Sequence, residues 1–180
     1  MKVIDSDKPL TEEEYFLFEE KQELRHELID GILYKMSGVS IFHNDIVGNL
    51  LFILRTCLKG KDWKIVFENF KIKTFEGNFF YPDIAVCYPK TEKYFSAKPL
   101  LIAEVLSDST RKFDLIDKFI QYQKIETLHY YLCIEPEQKM VVFYYKRENE
   151  WIAETFTRDE QFITFSLLNI SFSLSDIYHS

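Results

Sequence analysis

Residues 100–106 read LLIAEVL, an apolar run interrupted only by Glu104. A run of this kind fits a strand buried on both faces of a sheet. An ionised carboxylate in such a place is costly by several kcal/mol unless it is paired or bound to a cation. Side chains alternate along a strand, so Glu104 shares one face with Ile102 and Leu106, while Ala103 and Val105 point to the other. The chain must therefore build a covered sheet and bring a partner to Glu104.

The surrounding pattern shows how. Thr11 with Glu14 three positions later forms a capping box that opens a short helix. Asp30-Gly31 between two short apolar runs predicts a tight hairpin turn, since both residues tolerate positive φ. Ile46, Leu50, Ile53, Leu54 and Cys57 recur at helical spacing, and Gly60 supplies a stop. Strand-like runs follow from residue 64, among them "WKIVFENFKIKTF", "YPDIAVCY" and "KPLLIAEVLS". Residues 110–124 read as an amphipathic helix with Leu115, Ile116, Phe119, Ile120 and Tyr122 on its apolar face and Asp114, Lys118 and Gln121 on its polar one. Ser107, Asp108, Ser109 and Thr110 offer N-caps for it. The runs "HYYLCIEP", "KMVVFYYKRE" and "EWIAETFT" are further strands, and the tail "LLNISFSLSDIY" fits either a strand or a short helix. The expected class is α/β or α+β, a mixed β-sheet flanked by helices, in a single domain over residues 1–180.

Composition limits the partners. The chain carries 22 Lys and Arg against 29 Asp and Glu, a net charge of −7, which disfavours strong non-specific binding to nucleic acid. It suits a site that gathers carboxylates around a cation. Cys57, Cys87 and Cys133 show no metal-ligand spacing and read as buried free thiols of a cytoplasmic protein. No apolar run approaches the length of a membrane span, so no membrane partner is expected.

The second acid of interest is Asp83, in "YPDIAV". It reads either as a turn residue before a strand or as a carboxylate that converges on Glu104 around a divalent ion. Here the motifs resemble a known family. "YPD", followed 21 positions after Asp83 by the glutamate of "AEV", resembles the PD-(D/E)XK nuclease superfamily, which has an αβββαβ core. More closely, "HELIDGILYKM", His43, "YPDIAV", "AEVLSDST" and then Asp114, Lys118 and Tyr122 resemble the Uma-type, restriction-endonuclease-like group of bacterial proteins. The likeness runs from about residue 10 to about residue 178.

The resemblance implies Mg2+- or Mn2+-dependent phosphodiester hydrolysis. Asp83, Glu104 and the backbone carbonyl of Val105 would be metal ligands, and Glu27 would orient a metal-bound water. The superfamily lysine, two residues after the second acid, falls on Leu106; Lys118 is its expected replacement. The plainer readings are a solvated hairpin glutamate at 27, an i, i+4 surface pair of Asp114 with Lys118, and a capping or core role for His43. The basic residues Lys71, Lys73, Lys90, Lys93, Lys98, Arg111 and Lys112 form either a phosphate-binding rim or ordinary solvated charge. The expected partner is DNA, and two-strand cleavage favours a homodimer. The alternatives are a non-catalytic nucleic-acid-binding or assembly module that keeps the fold, and a hydrolase of smaller phosphate esters.

Overall fold

The computed structural model describes residues 2–4, 9–36, 38–107 and 111–179. In chain order, β1 (Lys2–Ile4) leads to α1 (Glu12–Glu19), the hairpin strands β2 (His26–Ile29) and β3 (Ile32–Lys35), and the long helix α2 (Ile41–Cys57). Next come β4 (Lys64–Phe67), β5 (Lys71–Lys73), β6 (Phe79–Phe80), β7 (Ile84–Cys87), β8 (Phe95–Ser96) and β9 (Pro99–Val105). A π-helical segment, Phe113–Lys118, runs directly into α3 (Phe119–Tyr122). The chain closes with β10 (Tyr130–Ile134), β11 (Val141–Arg147), β12 (Glu150–Phe156), β13 (Phe162–Phe165), β14 (Ile170–Ser173) and α4 (Leu174–Ile177).

The central mixed sheet has the order β12-β11-β10-β9-β7-β4, and within it β9 and β10 run parallel. A second sheet has the order β1-β3-β2-β6-β5-β8, and β13 pairs with β14 apart from both. Along the chain, α2, β4, β7, β9, the helical segment 113–122 and β10 realise the expected αβββαβ order. β5, β6 and β8 leave that path to join the second sheet.

Alternation sorts the central strands cleanly. Ile84, Val86, Leu101, Ala103, Val105, Leu132 and Ile134 pack with Ile46, Leu50 and Leu54 of α2. Ala85, Cys87, Ile102, Leu106, Tyr131 and Cys133 pack on the opposite side with Tyr122. β9 is therefore buried on both faces along its whole length, as its apolar composition requires. Local signals hold as well. Thr11 and Glu14 form the capping box of α1, and Asp30 and Gly31 both take positive φ in the β2–β3 turn. The tail resolves into both of its alternatives, β14 and then α4.

Three expectations change. Cys57 is exposed; only Cys87 and Cys133 are buried thiols. α2 starts at Ile41 and is capped by Ser40, ahead of Ile46, the first of the periodic apolar residues. The largest correction concerns the segment after β9. Asp114 and Lys118 are buried there together with Tyr122, whereas Ile116 and Ile120 are 47% and 50% exposed. Hydropathy misassigns this face because charged residues elsewhere in the fold need it, as the site shows. Asp108, Ser109 and Thr110, three of the four candidate N-caps, lie outside the described residues.

Candidate functional site

β7 and β9 are antiparallel, with Ile84 opposite Ala103. Asp83, one residue before β7, therefore falls opposite Glu104. Because β7 starts only at Ile84, the Val105 N–H at the end of β9 has no ladder partner on that side. It donates instead to Asp83 Oδ2 at 2.7 Å. The Asp83 N–H in turn approaches Glu104 Oε2 at 3.4 Å. His43, in the first turn of α2, places Nε2 3.2 Å from Asp83 Oδ2.

Glu104 has two different sides. Oε2 faces Asp83, while Oε1 lies 3.2 Å from Lys118 Nζ and accepts from the Tyr122 hydroxyl at 3.3 Å. Lys118 also lies 3.0 Å from Glu27 Oε1 and 3.2 Å from Asp114 Oδ1. Glu27, from β2 of the second sheet, accepts the Tyr81 N–H at 3.0 Å with the same oxygen; its Oε2 is buried without a hydrogen-bond partner. One ammonium thus ties together carboxylates from two sheets and its own helix. Asp114 and Lys118 do form the i, i+4 pair, but it is buried rather than solvated.

Charge balance inside this cluster is incomplete. Burial pushes the Glu104 carboxyl well above the usual carboxylate range; Lys118 pulls it back, and Asp114, Asp83 and Glu27 push it further up. Burial likewise raises Glu27 against the pull of Lys118. For Lys118, burial alone would favour the neutral amine. Glu104, Glu27 and Asp114 together outweigh it and hold the ammonium well above its ordinary value.

The group opens on a cavity of about 70 Å3 lined by Glu27, His43, Asp83, Glu104, Val105 and Lys118, among others. The Asp83 side chain is 21% exposed there, more than any of the other three carboxylates. The oxygen donors are of the hard type that Mg2+ and Mn2+ prefer. Three further observations fit a cation: excess buried negative charge, the unpartnered Glu27 Oε2, and the Glu104 oxygen turned toward Asp83. Among the described residues, no group of three or more His, Cys, Asp or Glu side chains is arranged to hold a metal by itself. A cation here would need backbone, water or substrate oxygens to complete its shell, the usual arrangement for Mg2+ at a phosphate site.

Sequence order brought Asp83, Glu104, Val105, Lys118 and Glu27 into consideration, and they meet at this one cavity. His43 joins them through Asp83, and its buried Nδ1 has no hydrogen-bond partner. Asp114 as a member of the buried cluster went unforeseen, as did the Glu19–His26–Tyr81 network beside it. In that network Glu19 meets His26 Nδ1 at 3.0 Å and accepts from the Tyr81 hydroxyl at 3.0 Å. None of the seven basic residues considered as a rim lines this cavity; Lys73 pairs with Glu12, Arg111 pairs with Glu135, and Lys71 is buried among aromatic rings.

Comparison with known proteins gives a consistent result. The chain is 31% identical over 174 residues to an uncharacterized protein of Synechocystis sp., slr1290, covering 94% of this chain and 91% of the relative. A second Synechocystis protein, sll1609, also uncharacterized, is 30% identical, with coverage of 94% and 100%. Among solved structures, one described as a "putative nuclease belonging to DUF820" from Anabaena variabilis superposes with a TM-score of 0.79. It shares 17% sequence identity, over 94% of this chain and 98% of that one, so the likeness is one of fold. The family model described as "Uma2: Putative restriction endonuclease" matches residues 12–175, and the chain belongs to that family.

Proposed function

We propose that the protein is a metal-dependent endonuclease that hydrolyses phosphodiester bonds of DNA at the cavity between Asp83 and Lys118. The observation that carries this reading is the meeting of Asp83, Glu104, Glu27 and Lys118, from four separate segments, at one partly open acidic cavity. Membership of the Uma2 family supports it.

In this reading Asp83 and Glu104 Oε2 hold a Mg2+ or Mn2+ ion, with the Val105 carbonyl as a third oxygen. The N–H and C=O of one strand residue leave toward the same neighbour, which turns that carbonyl to the Asp83 side. A bound ion would supply Lewis-acid chemistry, polarising the phosphate and activating a water. Glu27, whose Oε2 has no hydrogen-bond partner, would orient the attacking water. Lys118 replaces the superfamily lysine by approaching from the helix rather than from position 106. Cleavage of both strands of a duplex would call for a homodimer.

The test is cleavage of supercoiled and linear DNA with Mg2+, with Mn2+ and with EDTA. Asp83→Ala and Glu104→Ala are expected to reduce cutting to the EDTA background. Cutting that survives both substitutions unchanged overturns the assignment. One observation favours the non-catalytic module instead: Lys118 already gives the cluster an internal cation. That reading predicts no saturable Mn2+ binding by calorimetry, whereas the enzyme reading predicts binding that Asp83→Ala abolishes.

A further inference from the structure

A larger cavity of about 530 Å3 lies beside the candidate site. A hollow of about 320 Å3 borders both, sharing Arg25, Asn69 and Tyr81 with the large cavity and Met36, His43 and Asp83 with the candidate site. Tyr81 lines all three. The parallel pairing of β5 with β8 sets Lys71 opposite Phe95, so the large cavity has an amine in its wall and rings around it.

Lys71 is only 7% exposed, and its Nζ stands 5.1 Å from the Phe16 ring, 5.1 Å from Tyr81 and 5.6 Å from Tyr15. Among the described residues no carboxylate comes within salt-bridge range of it. Glu19, which faces the same cavity, is committed to His26 and Tyr81. Burial lowers the Lys71 pKa; Glu19 offsets this only in part, and Arg25 adds to it. Arg25 and Lys93 add positive charge at the margin, Glu20 and Glu92 add negative charge, and Tyr94 stands 51% exposed at the mouth.

An amine held by ring faces, with open space in front of it, suits a ligand that is both planar and anionic. We propose that this cavity seats one unpaired nucleotide of the strand being cut, its base against Phe16, Tyr94 and Phe95 and its phosphate on Lys71. The proposal rests on the nuclease reading for the identity of the strand. It also answers the charge objection: stacking on rings supplies affinity that an acidic chain cannot draw from phosphate contacts alone.

The test measures binding without cleavage. Fluorescence anisotropy of a short labelled oligo-dT in EDTA is compared with the same sequence as a duplex and with dTMP as competitor. The single strand is expected to bind more tightly than the duplex or dTMP. Lys71→Met and Tyr94→Ala should each weaken it by about 5- to 100-fold, the range for loss of one stacked base, with Lys71→Arg restoring much of the loss. Tyr94 is exposed, so Tyr94→Ala remains informative if Lys71→Met fails to fold. Equal affinity in both variants overturns the proposal, and dTMP binding as tight as the oligomer overturns the strand assignment. Lys71-dependent binding by a protein that never cuts DNA would retain this cavity and remove the nuclease reading. Cutting with no dependence on Lys71 or Tyr94 would do the reverse.

Discussion

Two lysines are buried among the described residues, and the fold holds them by opposite means. Lys118 sits among Glu27, Glu104 and Asp114, all within 3.2 Å of its ammonium. Lys71 sits among the faces of Tyr15, Phe16 and Tyr81, with no carboxylate of the described residues in salt-bridge range. The first has more negative charge around it than it can neutralise, so Glu104 and Glu27 hold protons more tightly than ordinary carboxyls do. The second has only the more distant Glu19, too little to offset burial, so the lysine itself is pressed to lose one. One region asks for another cation and the other asks for an anion. A phosphate-bearing substrate with its metal would satisfy both.

The widest separation between the two should come from replacing each lysine with methionine. Lys118→Met strands the carboxylates in the interior. It is expected to lower stability by about 3–5 kcal/mol at neutral pH, read as a drop in the urea midpoint. An unchanged midpoint would mean that protons alone neutralise the cluster and that the comparison fails at its acidic end. Glu27→Gln keeps the Tyr81 contact while removing one charge, so its effect should stay within about 1 kcal/mol. Its signature is in the pH dependence. A carboxyl with a raised folded pKa contributes stability fully below the unfolded value, and that stability is lost as pH rises through the folded one. The variant should therefore gain on the wild type across that interval, and parallel pH curves would remove Glu27 from the titrating cluster. Lys71→Met should have the smallest effect, a gain of about 1 kcal/mol or less at neutral pH. The folded pKa of Lys71 is lowered, so wild-type stability should rise as pH climbs from that lowered value toward the ordinary 10.5, and the variant should lack the rise. A loss of stability at neutral pH would show that ring contacts outweigh desolvation.

Much of the frame was legible because its signals are local or periodic. Thr11 with Glu14, Asp30-Gly31, and the alternation of β7, β9 and β10 each act within a few residues. Glu104 was legible as an anomaly for the same reason. The orientation of the segment 113–122 was not, because an amphipathic reading sends Asp114 and Lys118 to solvent. Their partners, Glu27 and Glu104, lie in other strands, and no window of sequence contains them together. Leu106 makes the same point. It is buried with Ile102 and Tyr122 beneath the helix, so a lysine there would be forced into apolar packing, and the charge arrives from position 118 instead. The aromatic cavity draws Phe16, Lys71 and Tyr94 from α1, β5 and the approach to β8. The pairing of β5 with β8 brings Lys71 beside Phe95 and Tyr94, and the packing of α1 against Phe95 adds Phe16.

The tie made by Lys118 has a mechanical meaning. Glu27 belongs to the second sheet and Glu104 to the central one, and one ammonium grips both. The seating of one sheet on the other and the charge state of the cavity are therefore parts of a single equilibrium. Any ion, proton or phosphate that binds more strongly to the seated arrangement tightens the joint between the sheets by that difference, and loosening the joint weakens its binding by the same amount.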